Sequence, residues 1–253
     1  MRVVCWNLSF GSRRDEAGHD RAWRFLLDDL HPDLALLQQA RPPAWARGSI
    51  PCLAPEPDDP WASAIATTFS ADQISPDDED VLARLGGSIA CARVTLQDGE
   101  SLLAASVYTK AAPVSARDLR GVDADTIRRP GQDEAWYNDL AYAALRELTS
   151  GASFIVGGDW QTGRLLDERQ ERHSGAGREF FARAERDGWV ECLRRFHDEE
   201  QRTLFRGDVP YQLDHVFCDH ALAGRLKSCD VVPEPATALG LSDRAPIVME
   251  LDL

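Results

Sequence analysis

The sequence predicts an α/β fold of two packed sheets with helices outside them, and three observations carry that prediction. At 253 residues the chain is long enough to bury a sizeable core, and residues 1–253 are read as a single domain. Hydrophobic residues make up 43% and charged residues 28%, the balance of a packed globular protein rather than a disordered one. Strand-like runs mix with helical patterns along the whole length, often at hairpin spacing, which is how two sheets with outer helices read.

Residues 2–8 form an apolar run and read as a buried strand, and Ala22, Phe25, Leu26 and Leu30 then fall on one face of a helix. Pro32 stops that helix. The next strand, over residues 33–37, ends at Gln38 and Gln39, and strand ends are where sites are built. Further strands are expected near residues 62–69, 88–96 and 101–108 as a largely antiparallel meander, with residues 76–80 as a solvated loop. Residues 111–133 lack periodicity and read as a long loop or lid near the site mouth.

A helix over residues 133–148 would carry Trp136, Leu140, Ala144 and Leu148 on one stripe, and the strand at 153–156 is closed by Gly157 and Gly158. Phe180, Phe181 and Ala184 line the buried face of a helix over 177–186. Its outward charges read as a salt-bridged surface. Strands at 202–205, 211–218, 228–232 and 245–251 complete the order.

Net charge is −14, so long-range electrostatics disfavour duplex DNA, while a small phosphorylated ligand stays compatible because a few local positive groups suffice to hold it. Six cysteines show no C-x-x-C pairing and read as buried free thiols. With an apolar strand at the start and no bilayer-length apolar run, a cytoplasmic setting without a membrane partner is expected. No Gly-x-Ser-x-Gly elbow and no Walker-type loop is present, which sets those nucleophile and nucleotide classes aside.

Five short stretches carry the chemistry: Trp6-Asn7; Pro32-Asp33 through Leu37-Gln38-Gln39; Gly158-Asp159-Trp160-Gln161; Gln212-Leu213-Asp214-His215; and Ser242-Asp243-Arg244. In that order and spacing they resemble the signatures of the endonuclease/exonuclease/phosphatase superfamily, which includes abasic-site endonucleases, deoxyribonuclease I and inositol polyphosphate phosphatases. The resemblance covers nearly the whole chain. It implies a four-layer α/β sandwich of two mixed β-sheets flanked by helices, and descent from a metal-dependent phosphodiester or phosphomonoester hydrolase.

The resemblance also assigns roles. Asp159 aligns with the residue that positions or activates the nucleophile, and Asn7 with one that supports the metal-binding carboxylate or the phosphate. Asp243 falls in the closing motif, Tyr108 aligns loosely with a phosphate-facing position, and Asp214 takes an orienting or a catalytic part. His215 reads as a hydrogen-bonded structural histidine, and His31, His173, His197 and His220 as solvent-exposed.

Three positions depart from the family pattern. Gln39 replaces the glutamate that binds magnesium, and a neutral amide removes much of the attraction for a dication. Gln161 replaces an asparagine, keeping the amide one methylene further out. Arg244 replaces a histidine, and a guanidinium cannot act as a general base. The expectation is that Arg244 pairs with Asp159 or Asp243 in place of the ion, so that no metal is bound at rest and Mg or Mn is needed only if the site is active. A weakly active or inactive hydrolase, a module binding a phosphorylated ligand or a protein, and an active nuclease holding metal through Asp33 or Asp214 all stay open.

Overall fold

The computed structural model describes residues 1–54, 59–75, 81–130, 132–169 and 176–253. The expected loop at 76–80 and His173 lie outside the described residues. Twelve strands run through the described residues: β1 (Arg2–Asn7), β2 (Leu34–Gln38), β3 (Cys52–Leu53), β4 (Ala64–Thr67), β5 (Ser70–Gln73), β6 (Ile89–Thr95), β7 (Ser101–Tyr108), β8 (Phe154–Asp159), β9 (Val190–Glu191), β10 (Asp214–Cys218), β11 (Leu226–Val231) and β12 (Ile247–Leu251).

They form two six-stranded sheets, in the orders β11-β12-β1-β2-β4-β3 and β5-β6-β7-β8-β10-β9. Each sheet has one parallel pair at its centre, β1 with β2 and β7 with β8, among otherwise antiparallel neighbours. The sheets are mixed, as expected.

Alternation along the strands explains the layers. Val3 and Cys5 of β1, Leu34 and Leu36 of β2, Ala104 of β7, Ile155 of β8 and Val216 of β10 pack into one cluster between the sheets. Val4, Trp6, Ala35 and Leu37 point the other way, onto the Glu16–Phe25 helix through Ala22 and Trp23. Phe154, Val156 and Phe217 face outward from the second sheet, onto the helices Tyr137–Thr149 and Ala176–Arg186. Central strands are therefore buried on both faces, which is why they read as unbroken apolar runs.

Several expectations change. The first helix continues past Phe25 as a π-helical turn, Leu26–Leu30, and ends where His31 takes a left-handed φ of 48°. The strand expected at 62–69 is β4, and a further strand not expected from the sequence, β5, follows it in the other sheet. Gly157 and Gly158 lie inside β8 rather than closing it, because a Cβ on Gly158 would stand 1.9 Å from the Val107 carbonyl oxygen of β7. Only glycine lets those strands approach.

Trp136 caps the Tyr137–Thr149 helix, and the buried face runs through Leu140, Ala141, Tyr142 and Leu145. The described residues within 111–133 are mostly loop, as expected, but they include a short helix, Ala124–Ile127, and contribute Val114 and Ile127 to a small core with Ala135 and Leu140. Of the strand expected at 202–205 there is one bridge, Leu204 to Arg244. The cysteines are free thiols, all buried except the half-buried Cys52. Among the described residues no helix is long and apolar enough to cross a membrane.

Candidate active site

Register brings the sequence motifs together. In the parallel pairs Asn7 lies opposite Gln38, and Tyr108 opposite Asp159, while antiparallel β10 places Asp214 directly across from Asp159. One rim thus collects the ends of five strands. The turn at Ser242 to Arg244, just before β12, is tied to this rim by the Ser242 hydroxyl, which donates to the Asn7 carbonyl at 2.7 Å, and by the Trp6 indole, which donates to the Arg244 carbonyl at 2.9 Å.

Asp159 is wholly buried at the centre. Its Oδ2 accepts from Asn7 Nδ2 at 2.9 Å, Gln161 Nε2 at 2.9 Å and Arg244 Nη2 at 2.8 Å. The Asn7 amide is oriented by its own carbonyl oxygen, which accepts from Ser9 N–H at 2.8 Å. Gln161 reaches back from a left-handed φ of 50°, so its extra methylene is taken up by the turn. Burial pushes the Asp159 carboxyl up to about 7, although the Arg244 guanidinium pulls it down.

Asp214 has the opposite deficiency. Its Oδ2 accepts from the Thr203 hydroxyl at 2.6 Å and from Arg244 Nη1 at 3.3 Å, but its buried Oδ1 has no partner. Burial raises this carboxyl above the usual range as well, again against Arg244. The guanidinium therefore forks between two buried carboxylates. Burial alone would lower its affinity for the proton, but Asp159, Asp214 and Asp243 outweigh burial and hold it charged.

The expected pairing of Arg244 is thus found with Asp159, while its second partner is Asp214 rather than Asp243. Asp243 is occupied by the Ser9 hydroxyl. Gln39, in a left-handed φ of 47°, accepts through Oε1 from Ser12 N–H at 3.2 Å. Gln38 donates inside the core to Ser106 Oγ at 2.9 Å. Tyr108 is half-buried beside the rim and stacks on Trp61, and burial with the nearby Asp159 charge pushes its phenol up to about 12.

Asp33 accepts from Arg2 N–H at 2.7 Å, at the start of β1 and β2 and so at the opposite end from Asn7. It takes no part in the rim. His215 is buried on the far face of β10, bonded to Glu191 and the Thr162 carbonyl, as expected of a structural histidine. His31 and His220 are exposed, whereas His197 is half-buried against Asp230. Ser9, Thr203 and Trp61 join the rim without belonging to any of the five motifs; Thr203 has no signal beyond its place in a strand-like run.

The residues present do not fit a divalent cation. Of the three rim carboxylates, Asp159 and Asp214 are engaged by a guanidinium and Asp243 by the Ser9 hydroxyl, Gln39 brings an amide rather than a carboxylate, and among the described residues no group of three or more His, Cys, Asp or Glu side chains could hold a metal ion.

This architecture is shared with solved structures. A 3′-5′ exonuclease from Neisseria meningitidis superposes with a TM-score of 0.72 at 18% identity, covering 100% of both chains. A 3′ phosphatase from Neisseria, bound to product DNA hairpin, gives 0.71 at 18%, again over 100% of both chains. An AP endonuclease from Archaeoglobus fulgidus gives 0.69 at 16%, also over the full length of each chain. The chain has the endonuclease/exonuclease/phosphatase fold. No protein-family model matches the sequence, and no curated protein does.

Proposed function

We propose that the chain is a divergent member of the endonuclease/exonuclease/phosphatase superfamily that keeps a pocket for a phosphate ester while an arginine takes the place of the metal centre. Hydrolysis there is weak or absent. The observation that carries this reading is the Arg244 guanidinium, 2.8 Å from Asp159 and 3.3 Å from Asp214, where the family pattern gathers carboxylates around an ion.

The charges can balance without a metal. A divalent cation brings two positive charges; here the guanidinium supplies one, and a proton on Asp159, whose carboxyl is pushed up to about 7, supplies the other. With that proton in place the Arg244 charge is balanced by Asp214 alone rather than by two carboxylates, and more of it can act on phosphate oxygens, as arginines do in other phosphoryl sites. Arg244 cannot take a proton from water, and neither can Asp159 while it is protonated, so any residual turnover needs the fraction of molecules in which Asp159 is ionised. The net charge of −14 supports a small phosphorylated ligand over duplex DNA.

Calorimetric titration with manganese is expected to show no stoichiometric binding at micromolar concentrations. Replacing Gln39→Glu together with Arg244→His is expected to create such binding and to raise manganese-dependent turnover across a panel of phosphodiesters and phosphomonoesters. Tight one-to-one binding by the native protein, or metal-dependent nicking of plasmid DNA, would reject the reading.

A further inference from the structure

We propose that Trp61 and Tyr108 form a stacking platform for the base of a nucleotide whose phosphate lies against Arg244. The inference rests on the phosphate-ester reading of the rim and names the class of ligand: a nucleoside phosphate with a free, unpaired base.

Three contacts place Trp61 at the rim. Ala40, the residue after Gln39, donates from its backbone N–H to the Ala62 carbonyl at 3.0 Å, which fixes the segment carrying Trp61 beside the end of β2. The indole lies over Gly11, where a Cβ would come within 2.6 Å of indole Cδ2. Only a residue without a side chain leaves the ring that seat. Finally, the Trp61 and Tyr108 rings are stacked, 6.1 Å between centroids and 28° between planes.

Tyr108 in turn lies opposite Asp159 in the β7–β8 register, and Asp159 holds Arg244. The path outward from the charged centre is therefore guanidinium, phenol, indole. Trp61 is 39% exposed, one of the few large apolar side chains that the fold leaves in water among the described residues. A flat ring laid on this pair removes that surface from water, and every nucleobase has a face suited to it. A duplex offers no such face, because its bases are already stacked on each other, and the acidic chain repels it.

The test compares three probes on the native protein: adenosine monophosphate, ribose phosphate and inorganic phosphate, titrated with chelator present. Adenosine monophosphate is expected to bind about tenfold or more tightly than ribose phosphate, in line with base–aromatic stacking. Trp61→Ala is expected to abolish that difference while leaving ribose phosphate unchanged, and Trp61→Phe to retain part of it; the melting curve of each variant checks that the fold is kept. Equal affinity for the two sugar phosphates, or a Trp61→Ala variant that still prefers the nucleotide, overturns the platform and leaves the phosphate reading standing. If none of the three probes binds, the phosphate reading fails and the platform with it.

Discussion

Adjacent residues of β10 serve two buried charge networks that are built on opposite ratios. His215, on the outer face, bonds through Nδ1 to Glu191 at 2.8 Å and through Nε2 to the Thr162 carbonyl at 2.9 Å. Glu191 also takes Arg164 Nη1 at 2.6 Å, so one carboxylate meets both a guanidinium and an imidazole. Asp214, on the inner face, shares Arg244 with Asp159, so one cation serves two carboxylates.

The consequences differ in sign. Burial alone would raise the Glu191 carboxyl and lower the His215 ring, but their mutual contact outweighs it, with Arg164 helping on the carboxyl, so Glu191 is held below and His215 above its ordinary value. In the inner network burial wins, raising both Asp159 and Asp214, and Asp214 Oδ1 is left without a partner. A satisfied network locks a fold together; a short-changed one keeps capacity for a proton or a ligand. That difference is the ground for reading the inner face as the candidate site and the outer one as scaffold.

Removing the shared cation is the most severe way to break the comparison. Arg244→Met leaves two carboxylates buried without their counter-charge and is expected to destabilise by about 3–5 kcal/mol in urea denaturation. His215→Gln should be milder, about 1–3 kcal/mol, because Glu191 keeps Arg164 and the Gln212 amide. If the histidine variant proves the costlier of the two, the roles assigned to the faces are reversed.

Per pH unit, the smallest effect is a slope. Asp159 has its folded value, about 7, above its ordinary 3.8, so the folded chain holds that proton more tightly than the unfolded chain. Its contribution is full below about pH 4 and declines as pH rises through 7, by at most about 1.4 kcal/mol per pH unit. Asp159→Asn should flatten that part of the stability curve, whereas an unchanged slope would show that Asp159 does not carry the proton.

Much of the fold is readable in the sequence because the central strands are buried on both faces and their motifs sit at strand ends. The charge exchange alone points Arg244 at a carboxylate of the rim and leaves Asp159 and Asp243 both open. Its second partner does not follow from it, since choosing Asp214 over Asp243 depends on the register between β8 and β10, whose opposed residues Asp159 and Asp214 are far apart in the chain, and on a Ser9 hydroxyl that captures Asp243. The core within residues 111–133 has no sequence signature, because Val114, Leu119, Val122 and Ile127 follow no helical or strand period. Trp61 closes a proline-rich stretch that also carries Trp45, and only the shape of its neighbours reveals where it lies.

The stitching of Trp6 to Arg244 joins residues 238 positions apart, so during synthesis the rim cannot close until the chain has been made as far as Arg244. Until then Asp159 and Asp214 have no arginine beside them, and they must stay hydrated or protonated. The second sheet can pair β7 with β8 and β8 with β10 early, but its inner face stays open until the last turn docks. Assembly of this pocket is a late event, gated by the arrival of one guanidinium.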